Sequence, residues 1–235
     1  MLTFQNLSFG YKRKTLLFDN FCAQFPAGKT LLLGPNGSGK STLFAIAAGV
    51  LKVDMGSVSP GFDATTLMPQ EVSYLRGLTV REQVAYAGWL AGKSPAESWA
   101  ESLELLERVN LSDKSNQTAK SLSGGQLRRM GIAQALIPGR PVLLLDEPTA
   151  GLDLQEANSF YKTLDVAASG KTIIVSSHQI EGLGGFFDHV ALICAGQIQF
   201  LGSFDKFVEI GQRLGAPTMG EALVSAYNSF MGDES

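Results

Sequence analysis

Lys40, Ser41 and Thr42 follow three closely spaced glycines, Gly34, Gly37 and Gly39, with Pro35, Asn36 and Ser38 among them. Glycines so placed let the backbone curl until successive N–H groups converge on one concavity, a nest for oxygen anions. The Lys40 ammonium adds a full positive charge beside the β- and γ-phosphates of a nucleotide, and the Ser41 hydroxyl is suited to hold Mg²⁺. Thr30-Leu31-Leu32-Leu33 leads in as an apolar strand and Leu43 to Ala48 leads out as a helix, whose positive end faces the same point. The plain alternative, a glycine-rich turn with an incidental lysine, requires both flanks to be accidents. The expected ligand is a nucleoside triphosphate.

Two carboxylates follow the apolar run Val142 to Leu145. A residue leaving the C-terminal end of a parallel strand faces the ligand crevice. Asp146 is therefore expected to hold Mg²⁺ through water, and Glu147, diverging from it by one residue, to polarise a water for attack on the γ-phosphate. His178 follows the next apolar strand and, by the same rule, is placed to donate to the γ-phosphate and orient that water. Gln70 can bond Mg²⁺ or the water and report on the phosphate by moving. Leu122-Ser123-Gly124-Gly125-Gln126 precedes a helix read over 127–135, a second helix start suited to an anion. One chain with one nucleotide loop and two such receptors suggests that another copy supplies the second nucleotide. Head-to-tail pairing would then sandwich each ATP between one chain's loop and the other's Ser123 to Gln126.

At 235 residues the chain is long enough for one well-cored domain or two small ones. A hydrophobic share of 45% against 17% charged excludes a disordered chain. A net charge of −3 leaves no electrostatic footprint for nucleic acid. Lys12-Arg13-Lys14 reads as a solvated loop, and Cys22 and Cys194 as buried thiols in a reducing compartment. Met1 to Asn6 reads as an alternating strand start rather than a leader, and no run is long enough to span a bilayer as a helix. A cytosolic location is expected, with any membrane role requiring another polypeptide.

The positioning elements follow from periodicity. Residues 2–9 and 18–25 alternate as strands ahead of the loop, predicting an antiparallel sheet attached to the nucleotide core. Short strands are expected at 56–60 and 65–68. Thr79-Val80-Arg81-Glu82 is a capping box for a helix to about Gly92, and Ser94-Pro95-Ala96-Glu97 opens the next. That second helix is read with Trp99, Leu103, Leu106 and Val109 inward, and Trp89 and Trp99 as packing residues between the two helices. The α/β pattern resumes with a helix near 155–168 and a strand at 172–176. A hairpin turning at Ala195-Gly196 follows, and Thr218 caps a terminal helix bearing Leu223, Tyr227 and Phe230.

In order and spacing, Gly34 to Thr42, Gln70, Leu122 to Gln126, Val142 to Glu147, Ala150-Gly151-Leu152-Asp153 and His178 resemble the ATPase subunits of ATP-binding cassette (ABC) transporters. The resemblance covers about residues 1 to 205 and its combined motifs are very specific. It implies an α/β fold with a P-loop NTPase core, a mostly parallel sheet, an N-terminal antiparallel β subdomain and an inserted all-helical subdomain at about 71–137. A short helical tail is expected at 206–235. It further implies ATP and Mg²⁺ as cofactors, Tyr11 stacked on adenine, Asp153 communicating across a dimer, and a transmembrane permease as partner. It implies as well that the second nucleotide-binding domain is an identical or related chain, and that the location is peripheral on the cytoplasmic face of the inner membrane. Tyr11 is independently suited to a base platform, as an aromatic in a Gly-rich turn. The lip from Gln70 to Leu75 resembles the groove that receives the partner's coupling helix. Met68-Pro69-Gln70, Leu78 to Glu82, Trp89 to Gly92 and Gly220 to Leu223 look like bacterial type-2 exporters. Gln134, commonly arginine, and Phe187-Asp188-His189, often cysteine-aspartate-arginine, depart from the pattern. An importer subunit and a soluble, non-transport ABC ATPase are the alternatives.

Overall fold

Residues 2–9 carry apolar side chains at 2, 4, 7 and 9, a period-2 alternation that slips once. The slip becomes a bulge in β1 (Leu2–Phe9), where the register with β2 (Phe18–Phe25) shifts between Phe4 and Leu7 and Asn6 takes a positive φ of 49°. The strand thereby keeps all four apolar residues buried. β4 (Met55–Ser59) pairs on the other side, giving an antiparallel sheet ordered β2-β1-β4. Phe21 and Phe25 both meet Phe4 edge-on, at 5.8 and 5.9 Å between centroids.

In this computed structural model the described residues are 1–11, 15–53, 55–178 and 185–232. They fall into two compact units: Met1–Thr65 with Thr172–Ser235, and Thr66–Lys171. Lys12-Arg13-Lys14 lies outside the described residues.

The first unit also holds β3 (Lys29–Leu33), flanked by two parallel strands, β7 (Thr172–Ser177) and β8 (His189–Cys194). β9 (Gln197–Ser203) folds back antiparallel on β8. Their turn, Ala195 and Gly196, has φ of 46° and 73°, the left-handed pair that a two-residue hairpin requires. Leu31 to Leu33, Ile173 to Val175 and Val190 to Ile193 are buried, as parallel strands covered on both faces demand.

Two helices close this unit. α7 (Met219–Met231) starts at a Thr218 cap, as the sequence indicates, and buries Ala222, Leu223 and Ala226. Its Phe230 stacks on Phe207 at 6.2 Å and tilts on Phe200 of β9 at 5.5 Å, so its apolar face packs within the same unit. The partner helix, α6 (Phe204–Arg213), falls largely within the helical tail expected at 206–235; its own start is marked by the Ser203 cap and the spacing of Phe204 and Phe207.

The second unit is helix-rich. α2 (Val80–Leu90), α3 (Pro95–Arg108) and α4 (Gly124–Leu136) each begin with a reciprocal capping box, at Thr79, Ser94 and Ser123. β5 (Thr65–Met68) ladders to β6 (Val142–Leu145), and the Asp146 N–H extends the ladder to the Met68 carbonyl at 2.9 Å. α5 (Leu154–Ala167) follows.

Several expectations are corrected. α3 buries Ser98, Ser102, Leu105 and Leu106, with Val109 beyond its end, so its inner face is rotated from the one read through Leu103. Trp89, Trp99 and Leu103 are exposed by 52%, 45% and 41%, and the tryptophans do not fill the space between helices. Small Ser98 and Ser102 allow close approach instead, while Trp99 turns outward under the Arg81 guanidinium, 3.9 Å from the ring centroid. Cys22 is exposed and Cys194 half-buried, so neither is the buried thiol expected.

Candidate functional site

The phosphate-loop motif has a defined shape in the first unit. β3 ends at Leu33, and α1 (Lys40–Ala47) begins after Gly39, whose φ of 106° is open only to glycine without strain. A side chain there would also meet the Phe18 ring at 2.8 Å. Asn36 and Gly37 are exposed at the loop tip, whereas Ser38 and Lys40 are buried. Lys40 folds back into its own loop: Nζ donates to the Gly34 carbonyl at 2.7 Å and the Pro35 carbonyl at 3.1 Å. These two bonds hold the ammonium in the loop's concavity. Ser41, at the first turn of α1, is exposed.

Tyr11 is 69% exposed, its ring edge-on to Phe9 at 5.2 Å and its hydroxyl 3.0 Å from the Thr42 hydroxyl. The aromatic proposed for adenine is therefore tied to the helix that carries the phosphate loop. His178 is placed by register. Leu33 and Ser177 are partners across the parallel strands, so His178 and Gly34 each leave their strand at the same end of the sheet. His178 is exposed there.

The second unit collects Gln70, Asp146, Glu147, Asp153 and the Ser123 to Gln126 motif. Gln70 is exposed two residues beyond β5. Asp146 and Glu147 are each only 8% exposed, so Glu147 is no surface-turn residue. Its φ is 46°, a left-handed conformation uncommon for a glutamate and costing roughly 1–3 kcal/mol. The turn is closed by the Ala150 N–H donating to the Glu147 carbonyl at 3.1 Å. Tyr161, from α5, sits 3.4 Å from the Thr149 hydroxyl, and its phenol is pushed up to about 12. Burial is the main cause and the Glu147 charge adds to it, while the Thr149 bond opposes both. Asp153 caps α5, accepting from the Glu156 N–H at 2.8 Å.

The pentapeptide lies differently from its sequence reading. α4 starts at Gly124, not at Leu127, so Gly124 to Gln126 form its first turn and Ser123 is its N-cap. The Ser123 hydroxyl oxygen accepts from the Gln126 N–H at 3.3 Å, and the Gln126 amide oxygen accepts from the Ser123 N–H at 3.0 Å. Accepting that bond leaves the hydroxyl proton for a further acceptor. Ser123 and Gly124 are exposed, and Ser123 lines a cavity of 140 Å³ together with Gly125, Gln126, Leu152, Glu156 and Ser159. A larger cavity, 240 Å³, lies over Met68, Pro69, Val72, Ala87 and Gln134, against the lip that follows Gln70.

Sequence reasoning missed the side chains that hold these loops. Arg128 donates to the Ala150 carbonyl at 2.6 Å and the Gln70 carbonyl at 3.4 Å, and burial lowers its pKa from the usual guanidinium range. Gln83, buried, makes two amide bonds to the Leu75 backbone, at 2.6 and 3.1 Å. Neither residue type announces itself; only the arrival of a distant loop at its side chain gives it a task.

Mg²⁺ takes oxygen donors, keeping waters and substrate phosphates among its ligands. In the first unit Ser41 offers a hydroxyl, and in the second Asp146 offers a carboxylate and Gln70 an amide oxygen, each by itself a donor of the kind this ion takes.

Comparison with known proteins agrees with these motifs. Residues 18–150, more than half of the chain, match the family described as ABC transporter. The chain is 29% identical over 241 residues to the linearmycin resistance ATP-binding protein LnrL of Bacillus subtilis, covering 97% of this chain and 76% of that one. It is 34% identical over 215 residues to the cobalt import ATP-binding protein CbiO of Rhodobacter capsulatus, covering 84% and 77%. Of two long mammalian relatives it spans only 12% and 8% of the length. Among solved structures, cbiO1 from Clostridium perfringens, described as part of the ABC transporter complex cbiONQ, superimposes with a TM-score of 0.78 at 25% identity. That match covers 95% of this chain and 97% of the other. A glycine-rich loop closed on its own lysine, the family match over residues 18–150 and the α/β likeness together make this chain a member of the ABC transporter family, an ATP-binding and ATP-hydrolysing subunit.

Proposed function

We propose that this chain powers a membrane transporter, an exporter, by closing on ATP as a head-to-tail pair and reopening after hydrolysis. The observation that carries the reading is the phosphate loop with Lys40 already folded into it, 2.7 Å from the Gly34 carbonyl. In this reading the backbone N–H groups of Gly34 to Thr42 and the Lys40 ammonium bind the phosphates, and Tyr11 stacks on adenine. Ser41, Asp146 (through water) and Gln70 would hold Mg²⁺, which neutralises the charge developing between the β- and γ-phosphates. Glu147 polarises the attacking water and His178 orients it. Ser123 to Gln126 donate to the nucleotide held by the partner chain, and Asp153 transmits between the two.

Each of these steps costs the closed pair something when the γ-phosphate leaves, since ADP offers fewer acceptors to the second chain. That difference in affinity is what drives the partner. Among the described residues no helix is long and apolar enough to cross a membrane. The proposed partner is a transmembrane permease, with this chain peripheral on the cytoplasmic face of the inner membrane. The second nucleotide-binding domain is an identical or related chain. Export is favoured by the likeness of Leu78 to Glu82 and Trp89 to Gly92 to type-2 exporters. Import is the second reading, favoured by 34% identity to a cobalt import ATP-binding protein.

A tagged chain, purified from detergent-solubilised membranes, tests the assignment. An integral membrane protein should co-purify, and Mg²⁺-dependent phosphate release should accompany the complex. Recovery of active chain without any membrane partner would overturn the transport reading.

A further inference from the structure

Arg128 stands one turn inside α4 from the Ser123 cap. Its guanidinium gathers two backbone carbonyls from remote parts of the chain: Ala150, 22 residues away, at 2.6 Å, and Gln70, 58 residues away, at 3.4 Å. A planar fork of N–H donors can serve two acceptors at once, which an ammonium on a flexible stem does poorly. Each loop has its own anchor farther along. On one side Gln83 fixes Leu75. On the other, Tyr161 reaches Thr149 and Asp153 is committed to the α5 cap. α4 also presses directly on the first loop, because a Cβ at Gly131 would lie 2.7 Å from a Val72 methyl carbon. The helix that opens with Ser123 is thus joined at one side chain to the Gln70 segment and to the Ala150–Asp153 segment.

We propose that Arg128 is a positioning residue that moves the Gln70 loop and the Ala150–Asp153 loop together with the N-terminus of α4. An event at Ser123 then reaches both loops in one step, without passing along the strands. Arg128 touches neither nucleotide nor water in this scheme; it acts through the carbonyls it holds. The functional half of the inference rests on the ATPase reading above, whereas the mechanical half does not.

The two halves are tested separately on the full-length chain with Arg128→Met, which keeps the stem and removes the donors, and Arg128→Lys. Hydrogen exchange of the nucleotide-free protein reads the tie itself. The Ala150 and Leu152 amides, bonded to the Glu147 and Thr149 carbonyls, should exchange about tenfold faster or more in Arg128→Met. The Leu127 amide, bonded to the Ser123 carbonyl within the same helix, should be unchanged. Unchanged exchange at Ala150 and Leu152 would overturn the tie, and faster exchange through all of α4 would reduce Arg128 to a helix stabiliser.

Steady-state kinetics read the coupling. The ATP affinity of the isolated chain should stay within about twofold while kcat falls about tenfold, with Arg128→Lys recovering part of it. An unchanged kcat in Arg128→Met overturns the coupling even where the exchange result holds. A wild-type chain without ATPase activity would count against the proposed function and leave the exchange result to decide the tie.

Discussion

Lys40 Nζ lies 2.7 Å from the carbonyl oxygen of Gly34, the residue that opens the same loop. With the Pro35 carbonyl at 3.1 Å, the loop closes on its own cation, which is buried there. Lys40→Ala removes both the charge and the internal tie. ATP affinity should fall at least about tenfold, as loss of a charge-assisted hydrogen bond predicts, while AMP, lacking β- and γ-phosphates, should be nearly unaffected. Calorimetry with both nucleotides makes the comparison. Equal loss for AMP and ATP would mean that the loop had collapsed rather than lost a phosphate contact.

Glu147 combines a buried carboxylate with a left-handed backbone, φ 46°. Glu147→Gln keeps shape and burial and removes the base. Hydrolysis should fall at least about 10²-fold with ATP binding retained, and an ATP-dependent dimer should accumulate on sizing columns. Near-normal turnover would take Glu147 out of the base role.

Tyr161 gives a test by pH. Its phenol is raised from 10.0 to about 12, chiefly by burial. The folded protein keeps this proton more tightly than the unfolded chain. The contribution is therefore fully present below about pH 10 and is lost as pH climbs toward about 12. A shift of that size corresponds to about 3 kcal/mol. Tyr161→Phe should flatten this part of the alkaline profile in denaturant melts compared across that window. Identical alkaline slopes in both proteins would show that Tyr161 does not carry the loss.

Much of the architecture was legible because its signals are local. Capping boxes at Thr79 and Ser94 need only four consecutive residues, and both form where read. The Ala195-Gly196 hairpin needs only a two-residue turn. Buried parallel strands advertise themselves by unbroken apolarity, as Val142 to Leu145 do. The family itself was legible for the same reason: its phosphate loop and pentapeptide are contiguous runs.

What failed depended on which face of an element meets another. The composition of α3 does not say whether Leu103 or Leu105 turns inward; the close packing of Ser98 and Ser102 decides it. Trp99 looks like core until Arg81 is found against its ring. Gly124 to Gln126 read as lying ahead of their helix, although the reciprocal bonds between Ser123 and Gln126 put them in its first turn.

The sequence by itself determined the chemistry: which residues can bind phosphate, hold an oxygen-seeking cation or take a proton, because those capacities belong to residue types at short spacing. Only the tertiary structure decided which backbone groups those side chains are bound to, as Arg128 with Gln70 and Ala150 shows. Contacts between residues far apart in the chain arise from packing, and packing energy is shared among many side chains, so no short stretch encodes any one of them.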